Sequence, residues 1–324
     1  MRLVAATRVL NEDDILEAFV RHHAGLVDHF LFLDNGSTDR SLAILQALRA
    51  DGLPLTVLQT RAAHFCDPPV LTGLFQMAAR MGADWVLMLD CDEFVDERAT
   101  AGGLRGVLAN LAPEQGVLGL QTVSYHPTPN DDADDLLVPR RIRWRETATR
   151  PVVKVVVRGQ LIAQGISIGA GNHAVIRQGQ YLDAGPAEGV VLAHYRRRSP
   201  WRQLAEAVIG RLKVIAAGQI ASDSNVAMHH NRTFEAVRDD PAALLRDPGF
   251  LSPDLSHYEL IEDPIDYRGG DLQHTSPGDP MMQAVAAVAG FAEGLASQHA
   301  RLLDTNEGAR LQVHNWSLTW TQLA

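Results

Sequence analysis

Residues 85–94 read Trp-Val-Leu-Met-Leu-Asp-Cys-Asp-Glu-Phe, five apolar residues running directly into the triplet Asp90-Cys91-Asp92. A strand with one face in water alternates apolar and polar side chains, whereas a strand covered on both faces by helices is apolar throughout. The run therefore predicts a central strand of a parallel sheet. Residues i and i+2 of an extended chain project to the same side, so both carboxylates can face one cation. Open parallel sheets bind ligands beyond the carboxyl ends of their strands, which is where this pair falls.

Toward the N-terminus the pattern repeats. Apolar runs at Leu3–Thr7, His29–Leu33 and Leu55–Gln59 alternate with helical stretches at about Asp13–Ala24 and Thr38–Ala50, the layout of strand–helix–strand units. The cluster Asn35-Gly36-Ser37-Thr38 supplies N-cap oxygens, and Gly52-Leu53-Pro54 stops the helix that follows. Asp34 closes the second strand and Asn11-Glu12 follow the first. Three acidic loop starts on one sheet edge repel one another unless a cation or hydrogen-bond donors sit among them.

Toward the C-terminus the chain becomes β-rich from about Val117, with VLGLQTV, the acidic stretch DDADD at 131–135, RRIRWR at 140–145 and VVKVVVRG at 152–159. Ser199-Pro200 reads as N-cap and first residue of a helix reaching about Ala217. Residues 220–280 are rich in Asp, Pro, Asn and His and read as loops; a helix follows over roughly Pro280–Leu303. Three parts result: 1–115, 116–220 and a loop-rich and helical extension over 221–324.

The 324 residues are 46% hydrophobic with a net charge of −10, which excludes disorder as the main state. No apolar run approaches the roughly 18 residues of a membrane span, although a peripheral association with a membrane stays open. Two cysteines, Cys66 and Cys91, make no disulfide framework, and the first residues lack the layout of a signal peptide, so a cytoplasmic setting is expected. The charge is unevenly spread. Residues 139–158 carry +6 and 194–213 carry +5, leaving −21 on the other 284. The acidic remainder discourages nucleic acid as a partner, even though Trp144 lies within a basic stretch; two local basic segments suit a single diphosphate.

The stretches TRVLNE at 7–12, FLDNGSTD at 32–39 and WVLMLDCDEF at 85–94 resemble the nucleotide-binding half of family 2-like glycosyltransferases of the GT-A fold. GNHAV at 171–175 and LAHYRRRSPWRQ at 192–203, followed by Lys213, resemble later blocks of a bacterial branch of that group. The resemblance implies an α/β, Rossmann-type, mostly parallel central sheet flanked by helices, with a helical C-terminal extension. It implies a metal-dependent, inverting transferase that moves a sugar from a nucleotide-diphosphate donor to a glycan or other hydroxyl acceptor. Glu12 and Asp34 would then meet the base or ribose, Asp90 the ribose and metal, and Asp92 and His194 the metal, Mn2+ or Mg2+. Arg198 and Lys213 would neutralise the leaving diphosphate.

No Glu-Asp pair like that of the better-known members supplies the general base. The candidates are His173, a loop imidazole titrating near the working range, and Glu146, the acid within RRIRWRE. Two other readings remain: a haloacid-dehalogenase-like phosphotransfer enzyme, which also places Asp-x-Asp after a strand, and an inactive transferase-like module that binds a glycan or a protein.

Overall fold

The computed structural model describes residues 1–60, 62–64, 66–218, 228–246 and 255–317. The first half runs β1 (Leu3–Val9), α1 (Leu16–His23), β2 (His29–Asp34), α2 (Ser41–Ala50), β3 (Leu55–Gln59), α3 (Asp67–Arg80), β4 (Trp85–Asp90), β5 (Glu93–Asp96) and α4 (Gly103–Asn110). There follow β6 (Val117–His126), the single turn α5 (Val138–Arg141), β7 (Trp144–Glu146), β8 (Val153–Arg158), the short strands β9 (Ser167–Ile168), β10 (Val175–Arg177) and β11 (Gln180–Tyr181), and β12 (Gly185–His194). The remainder is α6 (Pro200–Ala216), α7 (Met228–Asp239), α8 (Ala243–Arg246), β13 (Leu260–Glu262), α9 (Pro280–Thr305) and α10 (Glu307–Ser317).

The large sheet has the order β13-β7-β6-β8-β4-β1-β2-β3, with β12 beside β6 and β5 beside β12. Strands β3, β2, β1 and β4 are mutually parallel, with Ala5 opposite both Phe30 and Leu87. Strand β8 enters antiparallel between β4 and β6. The Rossmann-type sheet flanked by helices, with a helical extension, is thus the architecture that the chain adopts. The Asp-x-Asp triplet closes the fourth strand rather than the first.

Both faces of β4 are covered. Trp85, Leu87 and Leu89 join the cluster under α1 and α2, while Val86 and Met88 join the cluster under α3. Phe19 of α1 packs edge-on against Phe30, Phe32 and Phe94; truncating such a side chain to alanine costs about 3–5 kcal/mol. His22 and His23 are structural: the Val95 N–H donates to His23 Nε2 at 3.1 Å and the Val95 carbonyl meets His22 Nε2 at 2.9 Å, clamping β5 to α1.

The extension is more ordered than its composition indicates. Within the span read as loops, α7 is helical and β13 pairs with β7; residues 220–227 and 247–254 of that span lie outside the described residues. Helix α7 is predominantly polar, which is why its sequence does not announce it. Helix α9 packs Ala284 and Ala287 on Ala205 and Ile209 of α6, with Leu10, Trp201, Val288 and Phe291 at the margin. Among the described residues no helix is long and apolar enough to cross a membrane. Cys66 and Cys91 are free thiols.

Candidate active site

The ends of β1, β4, β6 and β12 and the start of β8 meet at one edge of the sheet, where a cleft of about 1270 Å³ opens. Asn11, Asp13, Asn35 and Asp39 line one end, Asp90, Asp92, Lys154, His173 and His194 the middle, and Ser124, His126, Arg150 and Tyr258 the other end.

Asp92 and His194 are brought together, Nε2 lying 3.3 Å from Oδ2. Antiparallel pairing of β5 with β12 sets this distance: His194 is in register with Glu93, and the Tyr195 N–H donates to the Asp92 carbonyl at 2.8 Å. Burial would push the Asp92 carboxyl up, but His194, Arg198 and Lys154 together hold it well below the usual carboxylate range. Burial pulls the His194 imidazole down, and Asp92 more than offsets this, raising it above its ordinary value.

Asp90 is turned elsewhere. Lys154 Nζ, on β8, bonds its Oδ2 and lies 3.3 Å from Glu93 Oε1, with only 4% of the lysine side chain exposed. The Asn172 amide faces the other Asp90 oxygen at 3.5 Å, and the Asp90 N–H donates to Glu93. A lone lysine inside a valine run carries no motif, and sequence reading missed it. The signal was the run itself: Val153, Val155, Val156 and Val157 are too apolar for a strand that would leave a lysine in water, so a buried counter-charge was implied.

Two adjacent ligands at metal–ligand distances of about 2.1 Å stand roughly 3 Å apart, close to the 3.3 Å between Asp92 and His194. Magnesium sites of this kind take one or two carboxylates and complete their shell with water and substrate phosphates. The Asp92 carboxylate fits that donor set, and the His194 imidazole beside it would ligate in its neutral form. Among the described residues no group of three or more His, Cys, Asp or Glu side chains is assembled to hold a metal ion; Asp90, the third expected ligand, pairs with Lys154.

His173 sits beside this centre. Its Nδ1 meets the Val153 carbonyl at 2.9 Å, so that Nδ1 carries the proton and Nε2 keeps its lone pair free. Gly171 and Asn172 both take the left-handed conformation, with φ of 64° and 61°. A Cβ on Gly171 would stand 2.6 Å from His173 Nε2, so glycine there is what lets the ring lie down. Burial and the Lys154 charge pull the His173 pKa below its ordinary value.

The expected diphosphate cations divide. Lys213 of α6 lines the cleft, forms no ion pair among the described residues and lies 6.0 Å over the Phe291 ring. Burial, with Arg8 near it, pulls its pKa down to about 8. Arg198 is different: only 1% of its side chain is exposed, and it donates to Asp14 at 2.8 Å, Glu12 at 2.7 Å and the Tyr195 carbonyl at 2.8 Å. Arg202 completes the cluster on Glu12 and Asp14. Glu12 and Arg198, expected to meet the nucleotide and the diphosphate, both line the cleft and brace each other there.

Asp34 is fully buried and accepts from the N–H groups of Gly36 and Ser37 and from the Gln59 amide. It builds the turn rather than facing the cleft. Asn11, with φ of 56°, holds the same turn from β1 by accepting from the Thr38 N–H at 2.7 Å. Glu146 is likewise absorbed: its Oε1 meets His126 Nε2 at 2.9 Å and Arg150 Nη2 at 2.6 Å, and it is 6% exposed. It faces the protein, not the cleft.

The extension also contributes to the walls. Ser276, Gly278, Gln283, Ala284 and Ala287 line the cleft, and the Gln283 amide donates to Asp13 at 3.2 Å. Nothing in the sequence of this region marks it as part of a site.

No protein-family model matches the chain, and no curated protein matches it. Among solved structures the chain is similar to a mannosyltransferase from Pyrobaculum calidifontis in complex with GDP-Man and Mn2+, at 15% identity, covering 91% of this chain and 87% of that one, with a TM-score of 0.38. It is similar to glucosyl-3-phosphoglycerate synthase from Mycobacterium tuberculosis in complex with Mg2+ and UDP, at 17% identity over 67% of this chain and 77% of that one, TM-score 0.36. A second structure of that synthase matches at 19% identity over 67% and 78%, TM-score 0.34. Likenesses this distant transfer no residue role to this chain.

Proposed function

We propose that the chain is a glycosyltransferase that moves a sugar from a nucleotide-diphosphate donor to an acceptor hydroxyl, with a divalent cation, Mn2+ or Mg2+, and inversion at the anomeric carbon. The observation that carries this reading is the Asp92–His194 pair, 3.3 Å apart at the mouth of a parallel sheet, with Lys213 lining the same cleft.

Asp39 and Asn35, on the turn that Asp34 builds, would meet the ribose and base, taking the place first given to Asp34 itself. A cation held by Asp92 and His194 would neutralise the departing diphosphate. Lys213 would meet the same diphosphate as a point charge. His173 Nε2 would accept the proton of the acceptor hydroxyl as its oxygen bonds the anomeric carbon and the bond to the diphosphate oxygen breaks. Lys154 would hold Asp90 and Glu93 in place without entering the reaction. The setting proposed is the cytoplasm, where both free thiols stay reduced.

The test is nucleotide binding and sugar transfer across a panel of nucleotide sugars, with and without Mn2+. The expected result is metal-dependent binding of at least one nucleotide, lost in Asp92→Asn. Phosphatase activity on a small phosphoester, with no nucleotide bound, would favour the phosphotransfer reading instead; nucleotide binding without turnover of any donor would favour the inactive module.

A further inference from the structure

Beyond β8 the cleft ends in cations that the reaction above leaves unused. Arg150, Arg196 and Arg197 line this end with Ser124, His126 and Tyr258. Arg150 donates to Glu146 at 2.6 Å and to Ser124 Oγ at 3.2 Å, and its guanidinium lies 5.7 Å over the Tyr258 ring. Tyr258 stacks on His126 at 5.6 Å, and His126 is oriented by Glu146. One carboxylate thus serves both Arg150 and His126. Asp134 also lines the cleft from an exposed loop but forms no ion pair with these arginines among the described residues.

Arg197 is half-buried and has neither a hydrogen bond nor an ion pair among the described residues. Burial, then the like charges of Arg196 and Arg150, pull its pKa below the ordinary value. A partly desolvated guanidinium without an anion is a cost that a ligand relieves. Three guanidiniums against Glu146 leave two positive charges, the complement of a phosphate monoester, which carries about −1.5 to −2 near neutral pH and offers three acceptor oxygens.

We propose that this end of the cleft is an anion subsite for the acceptor, and that the acceptor carries a phosphate monoester beside the hydroxyl that receives the sugar. The inference rests on the transferase reading of the same cleft and adds the acceptor's chemical class. Its position on the β6 and β8 side lies across the centre from Asn11, Asn35 and Asp39, the groups assigned to the donor's ribose and base.

The experiment is calorimetric titration of glycerol phosphate into protein saturated with nucleoside diphosphate and Mn2+, with glycerol and glycerate as the neutral and carboxylate comparisons. Glycerol phosphate should bind, glycerate more weakly and glycerol not at all. Arg197→Gln, and separately Arg196→Gln, should weaken glycerol phosphate by about tenfold or more while leaving nucleotide affinity within about twofold. Retained nucleotide binding also shows that each variant is folded. The proposal is overturned by unchanged affinity in both variants, by glycerate binding as well as glycerol phosphate, or by glycerol phosphate competing with the nucleotide. Failure of the wild-type protein to bind any nucleotide would defeat the transferase reading itself; nucleotide binding without glycerol phosphate binding defeats the subsite alone.

Discussion

Arg198 Nη2 donates to Glu12 Oε2 across 2.7 Å, joining residues 186 positions apart and tying the turn after β1 to the N-cap of α6. Removing one member of such a buried charge cluster leaves its partners uncompensated, which typically costs 3–5 kcal/mol. Arg198→Gln should therefore lower the thermal unfolding midpoint by several degrees. Differential scanning calorimetry checks this; an unchanged midpoint together with lost nucleotide binding would return Arg198 to the diphosphate.

The parallel half was legible because its evidence is local. The apolar runs of β1, β2 and β4 are contiguous in sequence, and burial on both faces leaves no other reading of WVLML. The pairing of Asp92 with His194 was legible for a related reason, since each closes an apolar run whose end falls at the same sheet edge. What escaped was non-local. Lys154 finds Asp90 across 64 residues, Arg198 finds Glu12 across 186, and neither partner choice leaves a local trace. Asp34 and Glu146 were seen as acids at the right edge, but only the three-dimensional neighbours decide whether a carboxylate faces a ligand or a turn. The wall supplied by residues 276–287 follows from α9 packing on α6, which no periodicity in either helix specifies.

Glu17 anchors the extension. Fully buried on α1, it accepts from the N–H groups of Gln273, His274 and Thr275 and from Arg21. Burial pushes its carboxyl up, but the Gln273 N–H, Arg21 and the other two N–H groups outweigh this and bring it from 4.5 down to about 2. Since the folded pKa is depressed, the stabilisation is complete above about pH 4.5 and is lost as pH falls toward 2. Glu17→Gln should cost about 2 kcal/mol at neutral pH and flatten this acid limb. Urea titrations at several pH values measure both effects, and an acid limb identical to that of the wild type would place the anchor elsewhere.

Lys213 gives donor binding a basic limit. With a pKa near 8 in the free protein, its charge is lost as pH rises through that value, and with it one attraction for the diphosphate. Nucleoside diphosphate affinity should fall between about pH 8 and 10 in the wild type. An arginine stays charged throughout this range, so Lys213→Arg should hold its affinity flat there. Titrations with the metal held constant distinguish the two curves, and a fall of equal size in the variant would exclude Lys213 as its source.

His173 should act on the transfer step and not on donor capture. Because its Nδ1 is engaged by the Val153 carbonyl, removing the ring takes away a free Nε2 without opening the core. His173→Ala should reduce the transfer rate by about 10² to 10⁴, the usual range for a positioned general base, while nucleotide affinity stays within about twofold. The wild-type rate should fall in acid as the imidazole protonates, at a pH below the ordinary histidine value because burial and Lys154 disfavour the charged form. Gly171→Ala tests the geometry independently. Its new Cβ would stand 2.6 Å from Nε2 and force the ring aside, so the rate should drop although the histidine is still present. Glu146→Gln, by contrast, should leave the shape of the pH–rate profile intact, since that carboxylate faces His126 and Arg150 and not the cleft. If Glu146→Gln abolishes the acid limb and His173→Ala preserves it, the base is on the other side of β8.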